Sequence, residues 1–414
     1  EPKLFFRATI LIVEFAKNER EGENYNSIRD ELSGLFHIML SGTHAPVEDR
    51  ISLVNHLVFD EDDKKRKIGI KLIEELLETY SFRGCAIYDS DSRKRDYGYM
   101  PKTVAERNKW YINVLKYCEE LIKKGVYKED IKQIIANNFR NLASCGMYYE
   151  LEKIVENVLK DDTWPQIWIS IGVIKHFDTD KIPVDMLKKM NILQEKCFPK
   201  SIEDRIKVFL SKGKIIYWNI DDITDNEEKI LKELYSLGKD IIVNKEKTEN
   251  HLLKIDNTCN LYRLSNFVKG LYENNTDSKK IIYFLLDNIE DNNENIYLIM
   301  VSYYLAFMHE KNENEVNNIL DDIVLSEKYN KYYPRIQFEY QLNKIDIERV
   351  KKSLRLNVAS IDKYYRIEFA LLEVDIKDII EILKLFPESK DSDVLIINIL
   401  HNLFWNKRKE AELK

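Results

Sequence analysis

The chain has 414 residues but only 12 glycines and 8 prolines, which argues against a β-sandwich or barrel because such folds use these residues at many tight turns. Its 64 basic and 71 acidic side chains give a net charge of −7, which disfavours nucleic-acid binding by the molecule as a whole. Hydrophobic residues form 44% of the chain, enough for a large core, and the 33% charged residues indicate a well-solvated surface.

Apolar residues recur every three or four positions along nearly the whole chain, the spacing typical of amphipathic helices. In the N-terminal half this spacing predicts helical faces at 28–39, 51–58, 68–77, 103–121, 128–143, 150–160, 164–177, 184–197 and 201–210. In the C-terminal half it predicts helices at 227–243, 259–272, 278–288, 293–309, 313–325, 364–373, 376–385 and 394–405. Helix pairs therefore recur at intervals of roughly 35 to 45 residues, which is the repeat length of HEAT-like and TPR-like hairpins. We predict an all-α fold, an irregular α-solenoid of such hairpins.

Two segments interrupt this pattern. Residues 81–102 form a long polar stretch that predicts a loop, and residues 215–220 fit either a short strand or the end of a buried helix. We place a boundary at the second segment, which gives an N-terminal helical-repeat part at 1–212 and a C-terminal one at 213–414. The chain begins Glu1-Pro2-Lys3 rather than with Met, from which we expect other domains of a longer protein.

The sequence carries no pattern typical of a catalytic, cofactor-binding or metal-binding site. Gly213-Lys214 lacks the other residues of a phosphate-binding loop, and no G-x-G-x-x-G, H-E-x-x-H or G-x-S-x-G occurs. The five cysteines are widely spaced and predict neither a disulfide framework nor a zinc ribbon, which favours a reducing cytoplasm. No apolar run is long enough to cross a membrane. We therefore expect a cytoplasmic protein that is not an enzyme and has no cofactor.

The segment 81–109 and the adjacent Trp110 carry the candidate binding residues. The segment contains seven basic and four acidic side chains interleaved with tyrosines. Such a mixture fits a protein contact, fits phosphate and base contacts, and equally fits a solvated loop whose tyrosines pack on adjacent helices. The candidate protein-binding residues are Arg93, Arg95, Tyr97, Tyr99 and Trp110.

A set of short motifs follows one another in order between residues 28 and 210. They are Leu40-Ser41-Gly42-Thr43-His44-Ala45-Pro46, Arg50, Gly69, Arg95-Asp96-Tyr97-Gly98, Pro101 with Thr103, Trp110, Trp164-Pro165-x-x-Trp168 and the helix at 201–210. In this order they resemble the helical sensor region that lies C-terminal to the nucleotide-binding module of large bacterial antiviral ATPases of the STAND type. The remainder of the chain resembles that region only in its helical character.

The resemblance implies a repeat domain that binds a viral protein and thereby controls an ATPase or effector elsewhere in a longer protein. Its partners would be a protein ligand, in this family a phage protein, and the other domains of that longer protein. Two alternatives stay open from the sequence. One is a general protein–protein scaffold or regulatory repeat domain, and the other is a helical-repeat nucleic-acid binder that uses the basic and aromatic loop.

Overall fold

The computed structural model describes residues 2–20, 22, 27–80, 82, 97–211, 223–243, 247–290, 294–337 and 342–412. Throughout these ranges the regular elements are helices, and the one β-type pairing is an isolated antiparallel bridge between Ser211 and Cys259. The predicted all-α fold is confirmed. Most of the predicted loop at 81–102, the possible strand at 215–220 and the predicted boundary after residue 212 lie outside the described residues.

The described residues up to Lys200 form a first compact unit, and those from Ser201 onward form a second. The helices of the first unit are α1 (Pro2–Ala16), α2 (Ile28–Gly34), α3 (Val47–Val58), α4 (Asp63–Leu76), α5 (Val104–Lys123), α6 (Lys128–Leu142), α7 (Tyr148–Val158), α8 (Pro165–Asp178) and α9 (Val184–Lys196). A π-helical turn at Ala143–Met147 joins α6 to α7. The sequence periodicity predicted most of these helices but missed α1.

The second unit is also built from helices. They are α10 (Ile202–Phe209), α11 (Ile223–Val243), α12 (Thr248–Leu252), α13 (Leu261–Glu273), α14 (Ser278–Asp287), α15 (Glu294–His309), α16 (Glu313–Leu325), α17 (Tyr333–Gln337), α18 (Lys344–Leu356), α19 (Ile367–Ala370), α20 (Ile376–Lys384) and α21 (Lys390–Glu412). The sequence did not predict α12, α17 or α18. No helix in the described parts of the chain is sufficiently long and apolar to span a bilayer.

Several helices begin directly after a polar side chain that caps their N-terminus. The predicted cap Thr103 accepts a hydrogen bond from the backbone N–H of Glu106 at 3.1 Å, and Ser201 accepts one from Asp204 at 3.1 Å. These bonds satisfy N–H groups that have no partner inside the helix. The carboxylate of Glu106 accepts from the N–H of Lys102, one residue earlier than a standard capping box would require.

Helices two places apart along the chain pack against each other in both units. In the first unit α6 packs on α4 and α8, and in the second α13 packs on α11 and α15. Side chains about one hairpin apart therefore meet: Asn157 donates to Glu119, 38 residues away, and Tyr235 donates to Glu273, also 38 residues away. This separation agrees with the hairpin interval predicted from the sequence and is characteristic of a helical-repeat fold.

One pair of neighbouring helices meets through glycines. A Cβ atom added to Gly238 of α11 would overlap the carbonyl oxygen of Phe267, and one added to Gly270 of α13 would overlap the carbonyl oxygen of Tyr235. The absence of side chains at these two positions thus permits the backbones of α11 and α13 to touch. Glycine here serves close packing rather than a turn, since both residues lie inside helices.

Candidate protein-binding site

The structure describes three of the five predicted site residues, Tyr97, Tyr99 and Trp110, whereas Arg93 and Arg95 lie outside the described residues. Tyr97 is 52% exposed, while Trp110 is 1% exposed. The rings of Tyr99 and Trp110 stack with centroids 5.5 Å apart and planes 20° from parallel. The indole Nε1 of Trp110 donates to the carbonyl oxygen of Leu76 at 3.0 Å. Trp110 therefore supports Tyr99 from the core, and Tyr97 is the aromatic residue of the three that faces solvent most.

The segment containing these tyrosines pairs with the loop that joins α2 to α3. Gly42 donates its N–H to the carbonyl oxygen of Tyr97 at 3.1 Å, and Tyr99 donates its N–H to that of Thr43 at 2.8 Å. Gly98 lies between them with φ of +80°, and a Cβ atom there would overlap the backbone of Thr43. Only glycine combines this backbone angle with so close an approach. The two segments therefore form one structure although they are distant in sequence.

The buried side chain of Arg50 on α3 stabilises the α2–α3 loop from the protein interior. Its guanidinium is fully buried and donates five hydrogen bonds, to the carbonyl oxygens of Leu35, His37, Thr43 and Ala45 and to the hydroxyl of Ser41, at 2.6 to 3.3 Å. It also lies 4.9 Å from the centroid of the Trp110 ring. Burial lowers the pKa of Arg50 to about 9, and its acceptors are all neutral. Arginine suits this place because it offers five donors in a fixed planar arrangement.

Four of the eight motifs on which the family resemblance is based meet at this point. The loop 41–46, Arg50, the Tyr97-Gly98 pair and Trp110 are joined by the hydrogen bonds and ring contacts just described. Gly69 lies on α4 against the C-terminal end of α3, two helical turns beyond Arg50, where an added Cβ would be 3.0 Å from the Cβ of Leu57. The four connected motifs, although separated in the sequence, thus form one folded cluster, which we call the Arg50 cluster.

A groove lies beside the Arg50 cluster, between the α2–α3 loop and α1. Its volume is about 460 Å³, and its walls are mainly apolar, including Leu4, Ala8, Ile12, Ala45 and Pro46. Leu4 and Ala8 also belong to a row of exposed apolar side chains along α1, which we call the α1 stripe: Leu4, Ala8, Leu11 and Phe15. Exposed apolar surface of this kind marks interaction sites in soluble proteins.

One carboxylate borders the groove. The Oδ2 atom of Asp49, in the first turn of α3, is buried and has no hydrogen-bond partner among the described residues. Sequence reasoning missed the whole groove. The spacing of positions 4, 8, 11 and 15 was visible in the sequence, but nothing there indicated that these side chains stay uncovered.

A second groove, of about 440 Å³, lies between α2 and α4 and is rimmed by basic side chains. Most of these have a nearby acid: Lys67 lies 3.0 Å from Asp63, and Lys71 lies 2.6 Å from Glu74. The local charge is therefore largely compensated, which weakens the case for an anion site there.

The described residues contain no group of three or more His, Cys, Asp or Glu side chains placed to hold a metal ion. Burial raises the pKa of the Cys118 thiol and that of the Cys197 thiol to about 12. Both thiols therefore stay protonated near neutral pH, the form in which cysteine is a poor nucleophile.

Comparison with protein-family models, with curated proteins and with solved structures finds no match to this chain. Its function is therefore inferred from the geometry of the first unit and from the sequence resemblance.

Proposed function

We propose that this chain is the ligand-recognition domain of a bacterial anti-phage defence protein, which binds a viral protein in the cytoplasm. Binding would control an ATPase or effector elsewhere in a longer protein, as the resemblance to STAND-type sensor regions implies. We further propose that the helical hairpins continue as an irregular α-solenoid. A solenoid presents an extended surface to a ligand, and binding can bias how it packs on neighbouring domains.

The observation that carries the protein-recognition part of this proposal is the α1 stripe beside a groove with an ordered wall. Leu4, Leu11 and Phe15 are each more than 60% exposed although they are large apolar residues. Of the stripe, Leu4 and Ala8 line the groove, and the wall opposite these two is the α2–α3 loop, which Arg50 fixes through five hydrogen bonds. Tyr97, whose backbone pairs with this loop, adds an exposed aromatic side chain, and aromatic residues contribute strongly to protein interfaces.

The test is a binding screen with individually purified phage proteins against the purified chain. We expect at least one phage protein to bind the wild-type chain, and replacement of Phe15 by Asp or of Tyr97 by Ala to weaken binding at least tenfold. The matched control is Ile192→Asp, because Ile192 is an apolar residue on α9 that is also 57% exposed. If no phage protein binds, and the full-length gene gives no protection against infection, the proposed defence role is wrong.

A further inference from the structure

The α1 stripe has the geometry of a helix-packing surface. Its four positions follow the spacing i, i+4, i+7, i+11, which places them on one face of a helix over about three turns. Two of them, Leu4 and Ala8, also form one side of the groove. A small residue between larger ones leaves a depression along the row, into which side chains of an opposing helix can insert.

The groove adds a charge to this apolar surface. Asp49 Oδ2 is removed from solvent and lacks a hydrogen-bond donor, although a buried carboxylate oxygen is costly to leave without one. The other carboxylate of the same helical turn, Glu48, accepts a hydrogen bond from Asn113 at 3.0 Å. Asp49 as a whole is only half-buried and lines the groove, so a rotation of its side chain presents the unpartnered oxygen to a donor on a ligand lying there.

These two features together identify the chemistry of the partner. Building on the proposed function, we propose that the bound segment is an amphipathic helix of the partner protein. Its apolar face packs along the α1 stripe, and one of its Lys or Arg side chains reaches Asp49. Apolar contacts supply most of the affinity in helix-in-groove recognition, and a charged hydrogen bond fixes the register and orientation.

A selection experiment tests this proposal even while the partner protein is unidentified. A displayed library of 18-residue helical peptides, randomised at the outward positions, is selected on the immobilised full chain. We expect enriched peptides to carry apolar residues at helical spacing together with at least one Lys or Arg. Replacement of Leu11 by Asp should weaken their binding at least tenfold, and Ala8→Gln, which fills the depression without adding charge, should do the same. Ile192→Asp is the matched control and should change the affinity less than twofold.

A double-mutant cycle tests the contact with Asp49. Asp49→Asn should weaken a selected peptide about tenfold, the effect of one charge-assisted hydrogen bond, but should leave a peptide with its basic residue changed to Gln almost unaffected. Glu48→Gln is the control, because it removes a charge from the same helical turn. Circular dichroism melts of every variant show whether it is folded, and Ala8→Gln still tests the stripe if Leu11→Asp does not fold.

Three outcomes would overturn the inference. They are enriched peptides without helical apolar spacing, no loss of affinity in the two stripe variants, and no coupling between Asp49 and the basic residue. Sedimentation of the free chain adds a fourth, since a dimer that dissociates in Leu11→Asp would assign the stripe to a second copy.

The same experiments separate this inference from the proposed function. If a phage protein binds through Tyr97 but the peptides show no coupling to Asp49, this inference is wrong and the proposed function stands. If the peptides do show this coupling but no phage protein binds in the screen, only the proposal that the partner is viral is wrong.

Discussion

Replacing Arg50 by Met tests whether one buried cation holds the α2–α3 loop in place. Met preserves much of the apolar stem and its packing near Trp110 but removes all five hydrogen-bond donors. At about 1.5 kcal/mol for each bond from a charged donor, their loss would amount to roughly 7 kcal/mol. Relief of the cost of burying a cation offsets part of that loss, so we expect the first unit to lose roughly 3 to 4 kcal/mol.

The measurement combines urea unfolding with hydrogen exchange, because a chain of two units need not unfold in one step. We expect amide exchange to accelerate in residues 35–46 and 97–100, which the Arg50 cluster joins, and to change little in the second unit. Arg66→Met is the matched control, since Arg66 also donates to two backbone carbonyl oxygens but is partly exposed. It should cost no more than about 1 kcal/mol. Unchanged urea unfolding and unchanged exchange at 35–46 in Arg50→Met would refute the reasoning.

Three more predictions follow from other contacts. Gly→Ala inside a helix usually stabilises by up to about 1 kcal/mol, but Gly238→Ala should cost the second unit roughly 2 kcal/mol through the overlap with Phe267. Urea unfolding beside Lys239→Ala checks this, and a stabilised Gly238→Ala would contradict it. Burial tends to raise the pKa of Asp162, but hydrogen bonds from Lys128 and Lys132 lower it to about 2. Its contribution to stability is therefore complete above pH 4 or so and is lost as the pH falls through 2. Asp162→Asn should then cost about 2 kcal/mol at pH 7 and about half of that at pH 3 in urea unfolding, whereas an equal loss at both pH values would contradict the ion pair. Finally, the buried thiols of Cys118 and Cys197 should resist iodoacetamide at pH 8 until urea unfolds the chain, while half-buried Cys145 reacts earlier, as mass spectrometry of the alkylated peptides can show.

The helices that the sequence predicted are those whose local signals agree. In α5 the apolar spacing and the cap at Thr103 coincide, and the helix begins where the sequence places it. The exception is α18, which has a capping box at Asn343 and Asp346 but was missed because seven of its thirteen residues are charged. Its buried Arg349 and Lys351 pair with acids on α16 and α20. Those distant partners make the charged face of α18 a buried one, which its own sequence could not show.

The candidate site was only partly accessible to sequence reasoning for a similar reason. The mixture of basic and aromatic residues predicts Tyr97, Tyr99 and Trp110 together as protein-binding residues. Their different exposures arise from contacts with Thr43, Arg50 and other residues far away in the sequence. Periodicity reports which residues share a helix face, but it does not report whether another element covers that face. The exposure of the α1 stripe is therefore recognisable only after the neighbouring elements are in place.

Buried cations have two different roles in this chain, and the difference bears on recognition. Lys132 and Lys351 each bond to carboxylates on neighbouring elements, so they join parts of the helical stack. Arg50 instead bonds only to neutral groups of a loop, whose carbonyl oxygens have no helical partners. A loop fixed in this way is already ordered before a ligand arrives, which lowers the entropy lost on binding. Arg50 thus orders one wall of the groove in which we propose that the ligand binds, and Lys, with three donors instead of five, could not replace it fully.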